Sequence, residues 1–303
     1  MLVRFWGTRG SIACPGPDTV RYGGNTTCIE VRTDAGDVLI YDGGTGIRKL
    51  GLSLLGQGPI ECHILLTHTH WDHIQGLPFF VPLFIPGSKV HFHGPADPVY
   101  QRSLKDLLAG QFDYAYFPVT EGELNAEITY TNVVEGQSFQ LGSSVITPVR
   151  MNHPVVTFGY RIDADGSSVF FTGDHEPLHN IYEKDDPHFQ DYEELIETKR
   201  QSLLDPLQGV HTLIGDTMYT EEEYPSRIGW GHGTTLSNLE FSRKVDAKRL
   251  VLTHHDPERT DDQLDVIHHK MQEIREDNDP EVVIAAEGMT LNFNDQEKPK
   301  NPS

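Results

Sequence analysis

The chain has 303 residues, 37% of them hydrophobic, which is enough for one large core or two small ones. Asp and Glu number 45 against 24 Lys and Arg, and the formal charge of −21 argues against a general nucleic-acid binder and against an anionic membrane surface, since both call for clustered cations. Cys14, Cys28 and Cys62 form no Cys-x-x-Cys pair and fit free thiols in a reducing compartment; with no apolar run suited to a signal peptide or a span of ~20 residues, a soluble cytoplasmic protein is expected.

Short apolar runs alternate with helical patterns along the chain. Strands are predicted over 2–6, 28–33, 38–41, 63–67 and 89–93, then over 127–133, 144–150, 156–162 and 168–172, and last over 212–215, 249–253, 281–285 and 290–293. Helices are predicted over 47–55, 74–80, 99–108, 192–204, 235–245 and 261–276, the last opened by the capping residues Thr260-Asp261-Asp262. Strands grouped with intervening helices imply two sheets covered by helices on their outer faces. No Pro- or Gly-rich linker divides the chain, so one domain is expected over 1–293, with a polar, acidic helical insertion over about 178–208 and a disordered tail over 294–303.

The chemistry concentrates in Thr67-His68-Thr69-His70-Trp71-Asp72-His73, directly after the apolar Ile64-Leu65-Leu66. Imidazole and carboxylate are the donors that borderline divalent ions prefer, and such groups at a strand end are costly unless something pairs with them. Further donors stand just past other apolar strands: His153 in Asn152-His153-Pro154, Asp174 in Thr172-Gly173-Asp174, and the neighbours His254 and His255 after Leu250-Val251-Leu252-Thr253. Strand alternation turns only one of that last pair toward a site, and a one-residue slip exchanges them. His91 and His93 also read His-x-His, but no Asp-His follows, and they are taken as structural. Glu176 and Asp256 are candidate supports for the site.

These residues resemble the metallo-β-lactamase superfamily. His68 to His73 is an instance of its His-x-His-x-Asp-His signature, and His153, Asp174 and His254 match its later His, Asp and His in order. Gly7-Thr8-Arg9-Gly10-Ser11, the Tyr41 to Gly46 turn, Gly76-Leu77-Pro78, Gly159 to Ile162 and Gly231-His232-Gly233-Thr234 are similar to the branch that holds RNase Z and the phosphonate-pathway cyclic phosphodiesterases. The resemblance implies an α/β fold, an αββα sandwich of two mixed sheets flanked by helices, with two divalent cations at one edge. Zinc is expected, with manganese or iron as alternatives.

By the same resemblance His68, His70 and His153 hold one cation, Asp72, His73 and His254 the other, and Asp174 both, with a bridging hydroxide as the nucleophile. The residues counted as catalytic are Asp72 and His232. His232 is the expected proton donor, although Gly233 stands where the branch has Ser. Asp42 is expected to orient a ligand histidine. Arg9, Asn25, Tyr219 and Trp230 lie in loops that the family folds toward substrate, and His255 remains the alternative to His254. The expected activity is hydrolysis of a small or cyclic phosphodiester. An RNase Z-like endoribonuclease is opposed by the acidic charge and the lack of an evident tRNA-gripping arm, while a carboxyl-ester or lactone hydrolase shares the same chemistry. His70 stands where the flavin-linked diiron branch has Glu. The partner is then a small phosphodiester, with neither membrane nor nucleic acid, and the family implies a homodimer.

Overall fold

The computed structural model describes residues 1–293; the tail expected to be disordered, 294–303, lies outside the described residues. In chain order the first sheet takes β1 (Leu2–Gly7), β2 (Cys28–Arg32), β3 (Val38–Tyr41), β4 (Glu61–Leu65), β5 (Lys89–Gly94) and β6 (Glu127–Asn132). The second takes β7 (Phe139–Leu141), β8 (Ser144–Arg150), β9 (Phe158–Ala164), β10 (Ser167–Phe171), β11 (Thr212–Asp216), β12 (Arg249–Thr253) and β13 (Glu281–Ile284), and β14 (Thr290–Asn292) returns to the first, beside β1. The sheet orders are β14-β1-β2-β3-β4-β5-β6 and β13-β12-β11-β10-β9-β8-β7. Each is mixed in the same way: β14 through β3 pair antiparallel and β3 through β6 parallel. Likewise β7 through β10 pair antiparallel and β10 through β13 parallel.

Alternation along the strands builds the sandwich. On β9, Phe158, Tyr160, Ile162 and Ala164 enter the core between the sheets, while Arg161 pairs with Asp163 on the other face at 2.8 Å. On β10, Val169 and Phe171 face that core and Phe170 faces the outer helices. Helices cover both outer faces. α1 (Ile47–Ser53) and α3 (Leu104–Ala109) pack Leu50 and Leu108 onto the first sheet, and α4 (Phe189–Leu204), α5 (Thr235–Lys244) and α6 (Asp261–Ile274) pack Leu203, Leu239 and Met271 onto the second. The two-sheet arrangement expected from the strand and helix grouping is therefore present. Among the described residues no helix is long and apolar enough to cross a membrane.

Local departures have local causes. The helix expected over 74–80 is one short turn, α2 (Trp71–Ile74), followed by 3-10 turns at Leu77–Phe79 and Val81–Phe84, because Pro78 and Pro82 cannot continue an α-helix. The helix expected from 99 begins only at Leu104. Asp97 draws the N–H groups of Val99 and Tyr100 into a turn, and Ser103 with Asp106 forms the capping box that starts α3. Strand β7 is absent from the sequence reading: at three residues it is too short to show a period. The expected cap of α6 is made by Thr260, whose hydroxyl accepts from Gln263 N–H.

Candidate metal centre

Parallel strands deliver their carboxyl ends to one edge, so the residues that follow them converge. Here β4 leads into His68, β10 into Asp174 and β12 into His254, while β8 leads into His153. The loop from Thr67 to His73 is held from below by Asp42. Thr67 N–H donates to Asp42 Oδ1 at 2.8 Å, and Asp42 Oδ2 lies 2.7 Å from His73 Nδ1. Asp42 itself sits at φ +58. A Cβ on Gly44 would lie 2.4 Å from the Asp72 carbonyl oxygen, so the Tyr41–Gly46 turn needs glycine to close over the loop.

Two donor sets share one carboxylate. His68, His70, His153 and Asp174 place their donor atoms within 4.8 Å of one another, and so do Asp72, His73, Asp174 and His254. Asp174 Oδ2 lies 3.5 Å from His68 Nε2 and 3.8 Å from His153 Nε2. Its Oδ1 lies 3.1 Å from His73 Nε2 and 3.2 Å from His254 Nε2. Yet His68 Nε2, His73 Nε2 and Asp174 Oδ1 are buried with no hydrogen bond. Buried polar atoms are nearly always paired, and these approach one another without hydrogen-bond alignment. Converging lone pairs of this kind fit divalent cations, with imidazole and carboxylate the appropriate donors.

The other nitrogens of His73 and His153 are hydrogen-bonded, as those of ligand histidines usually are, while that of His254 faces a carboxylate without a hydrogen bond. His73 Nδ1 meets Asp42, His153 Nδ1 donates to the Gly231 carbonyl at 2.9 Å, and His254 Nδ1 lies 3.2 Å from Asp216 Oδ1. Asp216 Oδ2 lies 2.9 Å from His232 Nδ1, and Ser11 N–H donates to Asp72 Oδ2 at 2.7 Å. Ser11 and His254 take φ of +60 and +58, a region that non-glycine residues rarely occupy, and such strain gathers at functional sites.

Burial opposes charge on His254, but Asp174 and Asp216 outweigh it and push its pKa up to about 10. His73 is likewise raised well above its ordinary value by Asp174, Asp72 and Asp42 against its burial. Burial holds His68, His70 and His153 below theirs, in the neutral state that ligates. For His232, burial is outweighed by Asp216 and Asp174, and its pKa rises. Four buried carboxylates, Asp42, Asp72, Asp174 and Asp216, thus call for positive charge at one point, which a bound cation would supply.

Other expected residues fall differently. His255 is not the inward-facing member of its pair: its Nε2 donates to the Ala285 carbonyl at 3.0 Å, and alternation leaves His254 at the site. Arg9 is not placed to meet substrate. It is fully buried and donates to the carbonyls of Gly23, Asp256 and Arg259, tying the first loop to the segment after His254. Asn25 gives its amide to both oxygens of Glu287, and the Asp256 carboxylate caps Glu258 N–H, so neither reaches the centre. Tyr219 lies edge-on to His232 with ring centroids 6.0 Å apart, and Trp230 is exposed one residue before Gly231, under the Arg227 guanidinium. Glu176 accepts from Tyr224 hydroxyl and from the N–H groups of Gly229 and Gly231, and so holds the loop that carries His232.

Asp216 escaped the sequence reading. Its signal was available, since it closes the apolar run Thr212-Leu213-Ile214-Gly215 just as Asp174 follows Val169-Phe170-Phe171. Within the 178–208 segment, α4 lines a cavity of about 300 Å³ together with His153 and Pro154. A second cavity of about 460 Å³ opens beside Thr69 and Pro154 and is lined by Tyr100, Arg102 and Arg150.

The sequence model of the β-lactamase superfamily domain matches residues 54–255, and the chain belongs to that family. Its architecture is the metallo-β-lactamase fold: the metallo-β-lactamase fold protein YhfI from Bacillus subtilis superposes with a TM-score of 0.65 at 18% identity, over 96% of this chain and 99% of that one. A diphosphatase from the PhnP family superposes with a TM-score of 0.63 at 18% identity, over 96% and 97%. Ribonuclease Z of Haloarcula marismortui is 23% identical over 95% of this chain and 96% of its own length. The chain is thus a hydrolase of the metallo-β-lactamase superfamily.

Proposed function

We propose that the chain hydrolyses a small or cyclic phosphodiester with two divalent cations, zinc first among them. The observation that carries this reading is the division of Asp174 between the two donor sets, one oxygen toward His68 and His153 and the other toward His73 and His254. His68, His70, His153 and Asp174 would hold one cation, and Asp72, His73, His254 and Asp174 the other. When bound, such ions lower the pKa of water toward neutrality and polarise a phosphoryl oxygen.

The chain's own residues supply the rest. Asp42 and the Gly231 carbonyl hold His73 and His153 in their tautomers and orientations, and Asp216 faces His254 Nδ1 at 3.2 Å. His232, whose pKa Asp216 and Asp174 raise against its burial, gives a proton to the departing alkoxide, which would otherwise leave as a strong base. Arg150 lines the larger cavity, half-buried, over the Phe158 ring at 6.0 Å and with no carboxylate within ion-pair distance among the described residues. It offers an unpaired cation to an anionic group of the substrate, within a chain whose net charge is −21. A second reading, an endoribonuclease, is favoured by the relative named ribonuclease Z, since RNA linkages are phosphodiesters. The acidic surface weighs against it.

The deciding experiment is turnover of metal-loaded protein on bis-aryl phosphodiesters, 2′,3′- and 3′,5′-cyclic nucleotides, aryl esters, lactones and a 3′-extended tRNA. Preference for the small phosphodiesters, abolished by chelation, is expected. Cleavage of the tRNA at a single site with little action on cyclic nucleotides would establish the second reading. Lactone or ester hydrolysis alone would overturn both.

A further inference from the structure

A second group of metal-type donors lies at the other end of β4, outside the centre described above. Glu61 and His63 on β4 and His91 on β5 place their donor atoms within 4.8 Å of one another. His63 and His91 are register partners across the parallel pair, and their rings stack with centroids 4.7 Å apart at 22°. His63 precedes His68 by five residues, two of them in β4, which ends at Leu65, so at most about 16 Å of chain separates the two.

Both rings are oriented from behind. His91 Nδ1 lies 2.7 Å from the Thr129 hydroxyl on β6, and His63 Nδ1 lies 3.2 Å from His93 Nε2. His93 is buried and stacked on Phe139 of the opposite sheet, with centroids 5.5 Å apart, so this support is rigid. With Nδ1 occupied in each ring, Nε2 is the nitrogen left to a ligand. His91 Nε2 is buried without a hydrogen-bond partner and lies 3.4 Å from Glu61 Oε1. A buried imidazole nitrogen that faces a carboxylate without bonding to it, beside a second imidazole, is an arrangement a cation completes.

We propose that Glu61, His63 and His91 form an accessory site for a borderline divalent transition ion of the zinc type, with water filling the remaining position. The donor set suits zinc, copper or nickel in preference to magnesium or calcium, which favour oxygen ligands. The ion clamps β4 to β5 at the edge of the sandwich remote from His68 and takes no part in hydrolysis. Its binding stabilises the fold by an amount that grows with the logarithm of free ion above the dissociation constant, because the donors are brought together only in the folded chain.

Equilibrium dialysis of the full chain against Zn²⁺, with elemental analysis, tests this. Wild type should hold one ion more per chain than His91→Ala or Glu61→Gln, while hydrolytic activity is the same in all three. Glu61 is 58% exposed, so Glu61→Gln is not expected to disturb folding even if His91→Ala does. Crystals of wild type measured at the zinc edge should show an anomalous peak between Glu61, His63 and His91 that is missing from Glu61→Gln. Equal stoichiometry in the three proteins, or no such peak, overturns the proposal.

Discussion

Asp216 Oδ2 lies 2.9 Å from His232 Nδ1, which leaves Nε2 as the nitrogen that His232 can present to a substrate. The other oxygen of Asp216 lies 3.2 Å from His254 Nδ1, so one carboxylate supports both a proposed cation ligand and the proposed proton donor. Asp216→Asn should therefore both weaken metal binding through His254 and lower turnover through His232. Outer supports of metal ligands are typically worth about 10–100-fold in affinity or activity, and a loss of that order is expected in chelator competition. His232→Ala should instead retain the metal and lose about 10²–10⁴-fold in turnover, most on substrates with poor leaving groups. A His232→Ala enzyme with undiminished turnover on a poor leaving group would remove His232 from the reaction.

Asp174 belongs to both donor sets, so its removal cannot be local. Asp174→Ala should lose at least one ion per chain and lose more activity than the about 100-fold expected of an outer support. Elemental analysis of the purified variant is the check, and full occupancy would defeat the shared role.

Gly231 is the tightest approach in the loop carrying His232. It sits at φ +88, its carbonyl accepts from His153 Nδ1, and its N–H donates to Glu176 Oε2 at 2.9 Å. A Cβ there would lie 2.3 Å from His153 Nδ1. Gly231→Ala is expected to cost about 1–2 kcal/mol in backbone strain alone and to displace His153, weakening metal binding. Thermal unfolding and zinc competition measure the two effects separately. A variant with native melting temperature and native affinity would show that the loop yields without consequence.

Much of this centre could be read before any coordinates. His68, Asp174 and His254 each follow a short apolar run, and a polar donor at the end of a buried strand stands out against its neighbours. His254 and His255 could not be separated that way, because adjacent strand residues differ only in which face they take, and that depends on register. Arg9 and Asn25 misled for a related reason. Arg9 is in the right loop, but its guanidinium turns inward to carbonyls 14 and about 250 residues away in the chain, contacts that no local pattern records. The accessory donors Glu61, His63 and His91 come from two strands that become neighbours only through the crossover between them, so their proximity is a property of topology.

An ion pair between Arg259 and Glu223 ties the segment ahead of His232 to the segment after His254, and that pair sets a pH window. Arg259 grips Glu223 with two hydrogen bonds, Nη1 to Oε1 at 2.9 Å and Nη2 to Oε2 at 2.7 Å. The Arg259 bond, acting against partial burial, lowers the Glu223 pKa to about 2 from an ordinary 4.5. A carboxyl whose folded-state pKa is depressed adds stability that is fully present above the unfolded value, near 4.5, and is lost as pH falls through the folded value, near 2. Glu223 is 42% exposed, so solvent screening keeps the contribution below about 1 kcal/mol, and Glu223→Gln should lower the melting temperature at pH 7 by no more than about 3 °C. The gap between wild type and variant should stay constant down to about pH 5 and narrow below 4.5, as protonation makes the wild-type side chain neutral like its replacement. Melting curves of both proteins at half-unit steps from pH 7 to the lowest pH at which they remain folded measure that gap. A difference that does not narrow with acid would place the stabilisation in the shape of the side chain instead of its charge.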